Sequence, residues 1–256
     1  MNSRFERYVA IGDSFTEGVG DDLPGGRVRG WADLVAFGLA EASAAPVGYA
    51  NLAVRGKLLA PIVADQLEPA LAQSPDLLSI CGGGNDLMRP RVEIPYVVDL
   101  LDVVVDRAIA EGAHVVLLSG ANPSRHLPMG ALIQRRGDLL ADACRAAFTR
   151  PGVTLVDNWA DTELEERRFW SADKLHLNAR GHTRIASRVL DALDVPVPGE
   201  WGADAAGEAP ADDRVQGTAA YYREFVLPWI GRRLTGRSSG DGRPPKRPVL
   251  EPVDVD

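Results

Sequence analysis

The sequence predicts an α/β protein: a parallel sheet with helices over both faces. Three observations lead there. Short apolar runs of strand length recur between Tyr8 and Val156. Segments with apolar residues at helical spacing separate them. Glycine together with Asp or Asn follows several of these runs, at strand ends where open α/β sheets bind ligands.

In chain order, the first strand is Tyr8–Ile11, and Gly12-Asp13-Ser14 breaks it. Trp31 to Ala44 repeats apolar residues with helical period, and Gly48–Ala53 is the second strand. Leu59 to Gln73 reads as a less regular helix, with Pro61 tolerated in its first turn. Leu77–Cys81 is the third strand, and Tyr96 to Ala110 is strongly helical. His114–Ser119 is the fourth strand, Leu132 to Phe148 an amphipathic helix, and Val153–Val156 the fifth strand. Ile185 to Leu193 closes the series. The connections should be right-handed. No internal repeat is present.

At 256 residues, 45% of them hydrophobic, the chain can build one sizeable core plus an appendage. A net charge of -8 argues against a nucleic-acid partner. Cys81 and Cys144 lie in apolar runs without metal-site spacing and read as buried, inert thiols. The N-terminus has no apolar core of signal-peptide length, and no apolar run is long enough to span a bilayer. The expectation is a soluble, cytoplasmic protein.

Composition shifts near Pro196, so residues 1–196 read as the main domain and 197–256 as an extension. Pro196 to Gly217 is rich in Pro, Gly, Ala and Asp and reads as a loop or linker. Tyr222, Phe225, Val226, Trp229, Ile230 and Leu234 form an apolar helix stripe that Pro228 would kink. That stripe should pack on the body, or on a second copy in a homo-oligomer. Gly231 to Arg247 is basic and rich in Gly, Ser and Pro, so a flexible tail is expected.

Ser14 directly follows a strand, where a hydroxyl becomes a nucleophile if a base reaches it; otherwise it caps the next turn. Asp173 lies three residues before His176, so one helical turn can bring both side chains to the same side. The carboxylate can then hold Nδ1–H and leave Nε2 free as a base. A lone D-x-x-H is common, and a structural role is its alternative. His182 reads as packed or capping, His114 as structural, and His126 as a residue that could line a pocket. Gly82-Gly83-Gly84 lets backbone approach closely what lies above the third strand. Asn85 then offers an amide donor where acyl transfer builds negative charge, unless the segment is a plain Gly-Asn-Asp turn. No Lys-Ser/Thr follows these glycines, so a nucleotide P-loop is not expected. Gly56 lies in the loop after the second strand.

Taken together, Gly12-Asp13-Ser14, Gly56, Gly84-Asn85-Asp86 and Asp173-Lys174-Leu175-His176 resemble, in order and position, the blocks of the SGNH, or GDSL, hydrolase family. The resemblance covers roughly residues 5 to 195. It implies a flavodoxin-like three-layer α/β/α sandwich with five parallel strands. It also implies esterase- or lipase-type hydrolysis of a small-molecule acyl ester, without metal or cofactor. Carried over by position, Ser14 would be the nucleophile, His176 the base and Asp173 its orienter. Gly56 and Asn85 would be the oxyanion donors, with Asp13 and Asp86 in support. Deacetylation of sugars by the same mechanism, or ligand binding without catalysis, are the alternatives. Two departures stand out. Arg55 and Lys57 flank Gly56 and would make the pocket rim basic, and the extension could cover the cleft.

Overall fold

The computed structural model of the chain describes residues 4–201, 221–227 and 238–255. Strand β1 (Arg7–Gly12) leads into a one-turn helix α1 (Ser14–Glu17). A hairpin of β2 (Asp22–Leu23) and β3 (Arg27–Val28) precedes α2 (Trp31–Glu41) and β4 (Gly48–Asn51). Helices α3 (Leu59–Ile62) and α4 (Glu68–Leu71) run on through a π turn at Val63–Leu67. Then follow β5 (Leu77–Cys81), α5 (Gly84–Leu87), α6 (Ile94–Ala110), β6 (His114–Leu118), α7 (Gly130–Ala147), β7 (Val153–Val156) and α8 (Ala179–Ala192). The last strand is β8 (Arg247–Pro252).

The main sheet has the order β7-β6-β5-β1-β4-β8. Its first five members are parallel, and by chain position they run 5-4-3-1-2, the flavodoxin-like order. The order reverses at β1, so the crevice beside its C-terminal end is where such a sheet takes a ligand. Alternation along β1 splits the core in two. Tyr8 and Ala10 face one side and pack with Trp31, Val35 and Leu39 of α2 and Ile185 and Val189 of α8. Val9 and Ile11 face the other, with Leu59 and Ile62 of α3 and Leu101, Val104 and Val105 of α6. Burying each such side chain contributes about 1.5–3 kcal/mol, which fixes β1 at the centre of the sandwich.

Two expectations are corrected. The sheet has six strands rather than five, because β8 adds antiparallel to β4. The described part of the basic segment read as a flexible tail forms a turn at 238–242 and leads into this edge strand. Val249, Glu251 and Pro252 stay exposed, so no apolar alternation announces a strand there. Helix α8 begins earlier than its apolar period does, because Asn178 accepts from Gly181 N at 3.2 Å and caps it. Most of the predicted stripe from Tyr222 to Leu234, and with it the question of a second copy, lies outside the described residues. No helix among the described residues is long and apolar enough to cross a membrane.

Candidate active site

The register brings the crevice together. Gly12 pairs with Cys81, so Gly12-Asp13-Ser14 and Cys81-Gly82-Gly83-Gly84-Asn85 leave the sheet side by side. Gly12 has φ 152°, and a Cβ there would meet Cys81 O and Thr16 Oγ1 at 2.5 Å each. Only glycine fits that approach. A buried glutamine fixes this glycine. Gln66 Oε1 accepts from Gly12 N at 2.8 Å, and its Nε2 donates to Gly12 O at 2.9 Å. Nothing in the sequence singles Gln66 out, since a glutamine on a helix is ordinarily solvated.

Ser14 and His176, far apart in the chain, meet here: His176 Nε2 lies 2.9 Å from Ser14 Oγ. His176 Nδ1 lies 2.6 Å from Asp173 Oδ2. The other oxygen, Asp173 Oδ1, accepts from Ser171 Oγ at 2.7 Å, Leu175 N at 2.9 Å and His176 N at 3.0 Å. Burial opposes ionisation of Asp173, but the His176 ring and these donors outweigh it and hold its pKa well below the usual carboxylate range. An ionised carboxylate therefore fixes the ring with Nδ1 protonated and Nε2 turned to the hydroxyl. That arrangement makes a serine nucleophilic.

Asn85 Nδ2 donates to Asp13 Oδ2 at 3.0 Å and to Lys57 O at 3.1 Å, so both amide hydrogens already have acceptors. Asp13 also accepts from Phe15 N at 3.1 Å, and burial raises its pKa to about 6. Asp86 Oδ2 accepts from Leu59 N at 3.0 Å and so caps α3. Gly56 has φ 78° and lines the same cavity as Ser14, Asn85 and His176.

The flanking cations do not make a basic rim. Arg55 is held by Glu17 through Nε at 2.8 Å and Nη2 at 2.6 Å, and Lys57 Nζ pairs with Asp65 at 2.5 Å. His126 stays out of the cavity; its Nε2 donates to Glu165 O at 2.9 Å. His114 bonds Thr154 Oγ1 at 2.8 Å. Burial raises the Cys81 thiol pKa well above its ordinary value and that of Cys144 to about 11, so both stay protonated near neutrality. Among the described residues, no group of three or more His, Cys, Asp or Glu side chains could hold a metal ion.

His182 caps a helix that is not its own. Its Nδ1 accepts from Trp31 N, the first amide of α2, at 3.1 Å, so Nε2 carries the proton and donates to Val19 O at 3.3 Å. Burial lowers its pKa from 6.5 to about 4. Its stabilising effect is therefore full above pH 6.5 and lost as pH falls through about 4. Asp13 has the opposite sign: the cost of burying its charge is present above about pH 6 and gone below 3.8. His182→Gln keeps an acceptor and a donor but cannot take a proton. Between pH 7 and pH 4 the wild type should therefore lose up to roughly 3 kcal/mol more stability than the variant. Thermal unfolding at the two pH values checks this, and parallel losses in both proteins would contradict it.

Between α7 and the C-terminal ends of β5 and β6 runs a cavity of about 540 Å³ that includes Ser14 and His176. Along α7 it is lined from Leu132 to Cys144. That stretch measures about 18 Å at the rise of an α-helix. The loop from Asn122 to Gly130 contributes Pro123, Leu127, Pro128 and Met129 to the wall. Its polar Asn122 and Ser124 are instead spent on Gln134, each at 2.7 Å. Trp159 closes one side; its ring sits where a Cβ on Gly137 would come within 1.9 Å.

Residues 10–184 match the model of the GDSL-like Lipase/Acylhydrolase family. Among solved structures, the lipase Lip_vut3 from a goat rumen metagenome is similar at 19% identity and a TM-score of 0.63. It covers 73% of this chain and 96% of its own. Axe2, an acetylxylan esterase from Geobacillus stearothermophilus, is similar at 20% identity with a TM-score of 0.58, over 76% of this chain and 96% of its own. TesA is similar at 25% identity with a TM-score of 0.55, over 73% of this chain and 97% of its own. No curated protein matches the chain.

Proposed function

Because the chain belongs to the GDSL-like lipase/acylhydrolase family and is a carboxylic ester hydrolase, we propose that Ser14, His176 and Asp173 carry its reaction. The observation that supports this most is the 2.9 Å contact of His176 Nε2 with Ser14 Oγ, backed by Asp173 on Nδ1. Ser14 Oγ attacks the acyl carbonyl as Nε2 takes its proton. The imidazolium then protonates the departing alcohol, leaving the acyl group on Ser14. Water, activated by the same nitrogen, releases the acid. The backbone N–H groups of Ser14 and Gly56 and the amide of Asn85 receive the oxyanion. Asn85 gives up the neutral Lys57 carbonyl for the charged oxygen, a stronger acceptor, while Asp13 keeps the amide aimed.

The acyl chain lies in the apolar cavity along α7. A space of about 540 Å³ far exceeds an acetyl group, and its lining along about 18 Å of α7 leaves room for a chain on the order of eight to twelve carbons. With about 0.8 kcal/mol per buried CH₂, kcat/KM should rise up to roughly fourfold for each methylene added between acetate and octanoate. Ala141, buried at 4% exposure, lines the cavity, so Ala141→Phe should block it. The variant should lose roughly 100-fold on decanoate relative to butyrate, the equivalent of a few unburied methylenes. A p-nitrophenyl ester panel on both proteins tests this. An acetate optimum in the wild type would instead favour O-deacetylation.

A further inference from the structure

The family match ends at residue 184, yet parts of the chain beyond it touch each piece of the catalytic crevice. Tyr221 is buried, and its hydroxyl donates to Asp173 O at 3.1 Å. Lys174, next to that aspartate, lies over the Tyr221 ring at 4.3 Å. Ser238 begins a tight turn seated on the Arg55-Gly56 peptide. Ser238 Oγ donates to Arg55 O at 3.3 Å, Gly240 N donates back to Ser238 Oγ at 3.1 Å, and Ser238 N donates to Asp241 Oδ2 at 2.9 Å. The approach leaves no room for a side chain at Gly240, which meets backbone, while Gly56 is favoured by its φ of 78°. A Cβ on Gly56 would come within 2.3 Å of Ser238 Oγ, and one on Gly240 within 2.1 Å of Arg55 O. Ser238 and Ser239 consequently line the same cavity as Gly56 and Ser14.

Lys246 completes the arrangement. Its ammonium donates to Glu17 O at 2.6 Å, to Val28 O at 3.2 Å and to Asp33 Oδ2 at 2.6 Å. Glu17 is the last residue of α1, the helix that Ser14 opens, so a cation from the extension sits on that helix's C-terminal carbonyl. The same glutamate's carboxylate receives Arg55 N at 2.6 Å, which ties α1 to the Gly56 loop. Strand β8, immediately after Lys246, anchors the whole segment in the sheet through β4.

We propose that the extension is a working part of the active site: its Tyr221, Ser238–Gly240 turn and Lys246 position the Asp173 loop, the Gly56 oxyanion loop and the nucleophile helix. Tyr221, Ser238, Gly240 and Lys246 act as positioning residues, since none of them has to touch the reacting atoms. The inference rests on the reading of Ser14, His176 and Asp173 given above. It predicts that disturbing the turn lowers stabilisation of the tetrahedral state rather than substrate binding.

The test uses the full chain carrying Gly240→Val or Lys246→Met, with active sites counted by fluorophosphonate titration and folding checked by circular dichroism. Per titrated site, kcat should fall roughly 10–100-fold with KM within twofold. Affinity for an acyl trifluoromethyl ketone, which forms an oxyanion on the serine, should fall by a similar factor. If either variant does not fold, Ser238→Ala, which removes one hydroxyl, carries the test with a severalfold loss in the same two quantities. Unchanged kcat and ketone affinity, or a loss confined to KM, would overturn the proposal. A wild-type protein without ester hydrolysis would instead overturn the reading of Ser14.

Discussion

Ser14→Ala is expected to lower kcat by on the order of 10⁵–10⁶, the scale seen when triad nucleophiles are removed elsewhere. The fold should not notice. Ser14 is half-buried at the start of α1, and Asp13, not Ser14, caps that helix by accepting from Phe15 N at 3.1 Å. The apolar cavity along α7 is untouched, so KM should change little. What disappears is the atom proposed to form the acyl bond, and with it any burst of p-nitrophenol ahead of steady turnover. Stopped-flow hydrolysis of the octanoate ester reads both the burst and kcat. A variant that retains even a hundredth of the wild-type rate would remove Ser14 from the chemistry.

Asp173→Asn should cost about 10⁴ in kcat, again by comparison with other triads. The reason lies in the three donors on Asp173 Oδ1: Ser171 Oγ, Leu175 N and His176 N. An asparagine must keep its carbonyl oxygen towards them, which turns its NH₂ to His176 Nδ1. The ring then accepts at Nδ1 and carries its proton on Nε2, where it can no longer accept from Ser14. The effect is on the tautomer and not on packing, so circular dichroism and Tm should stay close to wild type. Steady-state kinetics near neutral pH check this. A loss below tenfold would mean that Asp173 does not orient the base.

Much of the fold was legible because its signals are local. Each of the five parallel strands is an apolar run between helical periods, and Gly12 and Gly82–Gly84 mark the strand ends at the crevice. Ser14, Gly56, Asn85 and the Asp173–His176 pair were legible as four blocks in order, and the structure links Ser14, His176 and Asp173 by hydrogen bonds. Long-range pairing was not legible. Nothing local says that Gln66 will grip both polar atoms of Gly12, or that Glu17 will neutralise Arg55. The basic tail was misread for the same reason. A segment rich in Arg, Gly, Ser and Pro looks solvated, yet its glycine permits contact with Arg55 O and its Lys246 finds three acceptors. Pocket character was also hidden, because Leu132, Ile133, Leu140 and Cys144 of α7 look in sequence like an ordinary core stripe.

The most direct test is to expose the full-length protein to a fluorophosphonate, weigh it intact and map the adduct by tandem mass spectrometry. The expected outcome is one adduct per chain, on the peptide holding Gly12-Asp13-Ser14, and none in Ser14→Ala. An unlabelled wild type that still hydrolyses esters, or a label on another serine such as Ser238 or Ser239, would contradict the account.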